Sequence, residues 1–99
     1  MLIVKLHKNT EGKLIVAICD KGLVGKKFEE NGLQLDLSSD FYKGDEKSES
    51  ELKLIVKSAY LLNITGKNSV EFALKNSLVE KNSIITICKI PHAETLFSE

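Results

Sequence analysis

Ser83-Ile-Ile-Thr-Ile-Cys-Lys-Ile-Pro-His-Ala-Glu-Thr95 is the stretch on which the architecture turns. Its apolar run, Ile84 to Cys88, has the length and β-branched content of a buried strand. Pro91 is the only proline in the chain. It has no N–H for a β-ladder and holds φ near −65°, so the strand is expected to stop before it. His92, one of two histidines, then stands at the strand's end behind a bend of fixed geometry. A second run, Leu14 to Cys19, is apolar at nearly every position, as in a strand covered on both faces. These two runs are expected to be the central strands.

Around them, Leu2 to His7 alternates, with Leu2, Val4 and Leu6 on one face. Asn9-Thr-Glu-Gly12 is a turn whose register pairs His7 with Leu14 and Leu2 with Cys19. Asp20 to Gly25 leaves the sheet through a loop or a single helical turn. Lys26–Glu30 and Leu33–Leu37 flank Asn31-Gly32, a type I′ hairpin signal; Leu33, Leu35 and Leu37 are expected to face inward. Ser38–Tyr42 reads as a compact turn and Lys43–Ser50 as a polar connection. Ser48 and Glu51 form a capping box. Leu52, Ile55, Val56, Ala59 and Leu62 follow at helical spacing, and Asn63-Ile-Thr-Gly66 ends that helix. A second helix from about Lys67 to Ser77 buries Val70, Ala73 and Leu74. The expected order is ββββααβ. It describes one domain over residues 1–99: an α+β, two-layer fold with four N-terminal strands in two hairpins, two helices on one face of the sheet, and one C-terminal strand.

A chain of 99 residues buries roughly 65% of its unfolded surface, enough for one core without metal or disulfide staples. No apolar run approaches the ~20 residues that span a bilayer, and Met1 to Leu6 reads as a first strand rather than a signal peptide. Two cysteines point to a reducing, cytoplasmic setting. Fourteen acids balance fourteen bases, and every base is lysine. Without arginine the chain lacks the planar fork that reads guanine edges, which argues against sequence-specific DNA binding. The abundance of Lys and Glu fits a thermophilic source or an A/T-rich genome.

Cys19, Cys88, His7 and His92 are the residue types of a zinc site. The hairpin register, however, puts His7 and Cys19 roughly 17 Å apart. No metal and no cofactor are expected. Gly66-Lys67-Asn68-Ser69 opens a helix, but Leu61 and Asn68 stand where a phosphate-binding loop needs glycine and Ser or Thr. What remains is a glycine and a lysine able to hold an anion at a helix N-terminus, or a plain helix–helix turn capped by Asn68 or Ser69. Asp20 to Lys27, with Lys26 and Lys27, is a basic loop for phosphate or an acidic partner, or a solvated connection. Asp40, Asp45, Glu46 and Glu49 read as a solvated face. His92 is a candidate pH switch, base or ligand, or simply sits where Pro91 turns the chain onto the protein's edge.

The order of these motifs resembles an archaea-specific family of proteins of about a hundred residues, known as a domain of unknown function. The resemblance rests on Ile18-Cys19-Asp20, Leu23-Val24-Gly25-Lys26 with Phe28, Phe41-Tyr42-Lys43-Gly44, Asn63-Ile-Thr-Gly66 with Val70 and Ala73, and the C-terminal Ile90-Pro91-His92-Ala93. Lys89 departs from it, standing where members often carry glycine. The resemblance implies a single cytosolic α+β domain, with a loose association with translation, and carries over no catalytic residue.

The residues therefore point to a non-enzymatic binding module for a protein or ribonucleoprotein partner, with contacts at Lys26, Lys27, Gly66, Lys67, Pro91 and His92. The alternative is a small enzyme or ligand-binding protein using His92 with a cysteine or carboxylate. A monomer is expected, or a homodimer through an exposed edge strand at Lys26–Glu30 or Leu2–His7.

Overall fold

A computed structural model describes residues 2–97. The chain runs β1 (Leu2–Lys8), β2 (Leu14–Asp20), β3 (Lys27–Glu30), β4 (Leu33–Asp36), β5 (Asp45–Lys47), α1 (Glu49–Ile55), β6 (Leu61–Thr65), α2 (Lys67–Lys75), β7 (Ile85–Ile87) and β8 (Ile90–Leu96), with short 3₁₀ turns between. Six strands form one mixed sheet in the order β5-β1-β2-β6-β8-β7, and β3-β4 is a separate two-stranded sheet. The expected ββββααβ order and two-layer arrangement are thereby overturned. β2 and β6 pair in parallel; every other neighbour in the large sheet is antiparallel.

Three local features produce the difference. First, the helical stripe through Leu62 stops early. Ser48 caps α1 with the reciprocal Glu51 contact, but the helix ends at Ile55, and a 3₁₀ turn covers Val56–Ser58. The Tyr60 N–H then donates to Leu14 O at 2.8 Å, drawing the chain into the sheet. Leu61–Thr65 alternates as well as it repeats at helical spacing. As β6 it sends Leu62 and Ile64 into one core and presents Asn63 and Thr65 to the opposite face.

Second, β7 and β8 form a hairpin where a single strand was expected. Its two-residue turn is Cys88-Lys89, with φ of +51° and +65°. A type I′ turn needs both central residues left-handed, which normally selects Asn or Gly; neither is present. β7 is an edge strand, so Ile84–Cys88 is not central, and Cys88 is exposed. Pro91 lies inside β8 opposite Thr86. Its carbonyl accepts the Gly66 N–H at 2.9 Å. In an extended strand a residue's nitrogen points the same way as its carbonyl. The missing N–H therefore faces the end of β6, where Gly66 O is already taken by Val70 N–H. Proline is tolerated there because no ladder partner is lost.

Third, Asp45–Lys47 in the polar connection pairs with Leu2–Val4. The chain enters β5 through Gly44, where any Cβ would run into the Val4 carbonyl. The sheet edges are consequently β5 and β7. β1 is covered over its first half, and β3 (within Lys26–Glu30) is paired with β4.

The β1–β2 register is also displaced by one residue: His7 opposes Ile15, and Leu2 opposes Asp20. Asn9 Oδ1 accepts the N–H groups of Glu11 and Lys13, which closes a five-residue loop rather than a four-residue one. Asn31 and Gly32, with φ of +51° and +82°, make the β3–β4 turn. Leu35 and Leu37 are buried while Leu33 is exposed.

Two apolar clusters sandwich the large sheet. On one face Leu2, Val4, Val16, Ile18, Leu62 and Ile64 meet Leu52 and Val56 from α1 and its 3₁₀ extension, and Val70, Phe72 and Ala73 from α2. Phe72 takes the inward position expected for Leu74, which is partly exposed. On the other face Ala17, Cys19 and Ile87 meet Leu35 and Leu37 from the hairpin and Tyr42. The molecule is three layers: helices, sheet and hairpin.

Candidate functional site

The second face carries a polar row. β6 and β8 pair Asn63 with Glu94 and Thr65 with His92. Alternation places all four side chains on the face opposite the helices. Registers across the sheet align Ile3, Cys19, Thr65, His92 and Ile85. Tyr42, from the 3₁₀ turn at Asp40–Tyr42, donates its hydroxyl to Asn63 Oδ1 at 3.2 Å. Asn63 Nδ2 donates to Glu94 Oε1 at 3.4 Å. Thr65 Oγ1 and His92 Nδ1 are 2.8 Å apart. The His92 Nε2 has no hydrogen-bond partner among the described residues. His92 lines a shallow recess of about 360 Å³ with Ser83, Ile85, Ala93 and Glu94.

Burial sets the charge states. It lowers the His92 pKa below its ordinary 6.5, against the smaller opposing pull of Glu94, so the imidazole is neutral at pH 7. Burial raises the Tyr42 pKa above 10, keeping the phenol protonated. Burial, with the Asp20 charge beside it, pushes Cys19 up to about 12. That thiol is a packed core group rather than a nucleophile.

At the edge of this row β6 turns into α2. Gly66 has φ +110° and is so close to Asp20 that a Cβ would overlap its carboxyl group. Asp20 Oδ1 accepts the Ser69 N–H at 2.8 Å and the Ser69 hydroxyl at 2.7 Å, and Oδ2 accepts the Asn68 N–H at 3.0 Å. The anion expected at this helix N-terminus is the protein's own carboxylate, supplied from the end of β2. The turn is strand-to-helix, not helix-to-helix, and Asn68 and Ser69 receive the cap instead of providing it.

Of the candidates expected from sequence, Gly66, Lys67, Pro91 and His92 come together here, joined by the Gly66–Pro91 hydrogen bond and the Thr65–His92 pair. Gly66 is buried, Lys67 is exposed, and Pro91 and His92 are half-buried. Lys26 and Lys27 lie on the separate hairpin, and Lys27 faces Asp36 at 3.9 Å. Cys88 is held in the β7–β8 turn, its N–H donating to Glu30 Oε1. His7 stacks on Phe41 with ring centroids 4.3 Å apart. Among the described residues no three His, Cys, Asp or Glu side chains are grouped to hold a metal ion. Sequence reading missed Asp20, Tyr42, Asn63, Thr65 and Glu94. The available signal was the paired alternation Asn63-x-Thr65 and His92-x-Glu94, which becomes visible once both segments are strands.

A family model covers residues 7–96. The chain belongs to the DUF424 family. Its description is a protein of unknown function, and the matched span holds every element of the site. The fold is similar to that in the crystal structure of an uncharacterized conserved protein from Methanopyrus kandleri, with a TM-score of 0.79 over 99% of this chain and 94% of that one, at 19% identity. At that identity the likeness concerns the fold. No curated protein matches the chain. Among the described residues no helix is long and apolar enough to cross a membrane.

Proposed function

We propose that this DUF424 chain is a non-enzymatic binding module whose contact surface is the rim formed by Lys67, Pro91, His92 and Glu94. One observation carries the reading: the reactive groups nearest the rim are committed to holding it in shape. Asp20 caps α2 through three hydrogen bonds, Thr65 holds His92 Nδ1, and the Cys19 thiol is sealed in the core. What stays outward is a lysine, a carboxylate and one imidazole nitrogen, set on rigid elements and able to make directional polar contacts. In its specific form the reading is a cytoplasmic accessory of the translation apparatus, with a ribonucleoprotein partner.

The test is co-sedimentation with purified ribosomal subunits across a salt series. Binding that weakens about tenfold, or ~1.4 kcal/mol, in His92→Ala and Lys67→Glu supports the rim. A protein that stays in the supernatant even at low salt removes the ribosomal form.

The alternative, an enzyme using His92, keeps Glu94 as its acidic neighbour among the described residues. His92 Nδ1 bonds a threonine, and neither cysteine is its hydrogen-bond partner.

A further inference from the structure

We infer that a recess at the opposite end of the sheet from His92 binds the phosphates of a single-stranded nucleic acid. This goes beyond the rim and uses none of its residues. The recess, of about 660 Å³, opens where Tyr60 joins β2 to β8, and Lys8, Lys13 and Lys57 line it together with Tyr60 and Phe97. Among the described residues no acidic side chain lines it; Glu11, in the adjoining turn, lies outside it.

Of the fourteen lysines, nine form no ion pair among the described residues, and three of those nine surround this one recess. The ion pairs among the described residues use Lys21, Lys27, Lys43, Lys47 and Lys75. Lys8, Lys13 and Lys57 enter none. In a chain with no net charge, three cations without an ion-pair partner among the described residues thus surround one concavity, a local positive field that favours a polyanion. Three separate elements deliver them: β1, the β1–β2 loop and the turn after α1.

The walls are rigid. Asn9 Oδ1 holds the Glu11 and Lys13 N–H groups, both at 2.9 Å. Tyr60 is tied on both sides: its N–H donates to Leu14 O at 2.8 Å, and its carbonyl accepts the Phe97 N–H at 2.9 Å. The Lys13 ammonium sits 4.5 Å from the centre of the Tyr60 ring. Aromatic rings carried on this hydrogen-bonded backbone, among lysines, suit a strand whose bases stack while its phosphates pair, rather than an acidic protein segment. The lack of arginine makes recognition tolerant of sequence. The concavity has the scale of a nucleotide, not of a duplex.

The test is fluorescence anisotropy with a short 5′-labelled oligouridylate and the whole protein. Three phosphate contacts predict that log Kd changes with log salt at a slope of about 2, and Lys57→Glu should lower that slope by about 0.7. Tyr60→Leu should weaken binding about tenfold, with circular dichroism confirming the fold. Tyr60→Phe, which keeps the ring, should bind like the unsubstituted protein. Absence of binding at about 50 mM salt, or an unchanged slope in Lys57→Glu, overturns the inference. Equal competition by a sulfated polysaccharide, with Tyr60→Leu unaffected, also overturns it by leaving only a general polyanion patch. None of these outcomes bears on the His92 rim.

Discussion

At the residue scale the two cysteines have opposite environments. Cys19 is 1% exposed, and its thiol is pushed to about 12. Cys88 lies on an exposed turn. A thiol-selective reagent is expected to label Cys88 in the native protein and Cys19 only after unfolding; mass spectrometry of the labelled peptides checks this. Because the folded thiol titrates higher than the unfolded one, its contribution to stability is complete below about pH 9 and is lost as pH rises toward 12. Cys19→Ala should flatten that part of the alkaline profile. Lys89 is the other exceptional residue. A left-handed φ costs a non-glycine side chain roughly 1–2 kcal/mol, and glycine returns about 0.5–1 kcal/mol of that as chain entropy. Lys89→Gly is therefore expected to stabilise the fold by about 0.5–1 kcal/mol, read from the urea midpoint at constant slope. A lower midpoint would show that the lysine side chain contributes more than its backbone strain costs.

At the element scale the largest revision concerns which strands are central. β6 is flanked by β2 and β8, and Leu62, Ile64 and Thr65 have no exposed surface. β7 is a three-residue edge with Ile85 and Thr86 exposed. Native-state hydrogen exchange should therefore show the amides of Leu62–Thr65 opening only near the global unfolding free energy, with those of Ile85–Ile87 exchanging much sooner. The opposite order would restore Ile84–Cys88 to the centre. The Ser48–Glu51 capping box, the Asn31-Gly32 turn and the start of α2 at Lys67 were legible in sequence, because each depends on a few adjacent residues. The extent of α1, the existence of β5 and the β7–β8 hairpin were not. In each case a distant partner overrides an ambiguous local pattern: Leu14 recruits Tyr60, Val4 recruits Asp45, and Thr65 receives His92.

At the scale of the whole molecule His92 couples the rim to stability. Its folded pKa lies below the unfolded value near 6.5 because burial disfavours the imidazolium. Below about pH 6.5 the unfolded chain binds the extra proton first, so stability present at pH 7 declines as pH falls through this window and levels off below the folded pKa. Asp36, Glu46, Glu49 and Glu51 are all held below their ordinary values by hydrogen-bonding partners. They titrate in a lower range and leave the His92 window separate. Urea unfolding at a series of pH values from 7.5 to 5 should show that decline, and His92→Gln should flatten it. A profile unchanged by the substitution would mean that His92 titrates alike in both states.

By itself the sequence determined what short-range chemistry determines. Capping, turn residues, the Lys-only charge set and the apolar strand at Leu14–Cys19 follow from neighbours a few positions apart; of the run Ile84–Cys88, read as one central strand, only Ile85–Ile87 is a strand, and it lies at the edge. The sequence also marked Gly66, Lys67, Pro91 and His92 without showing that they meet. Only the tertiary structure decided that. The parallel pairing of β2 with β6 sets Asp20 against Gly66, and the antiparallel pairing of β6 with β8 sets Thr65 against His92. Pairings between residues tens of positions apart are selected by burying both faces of one sheet together, and no local pattern encodes that shared free energy.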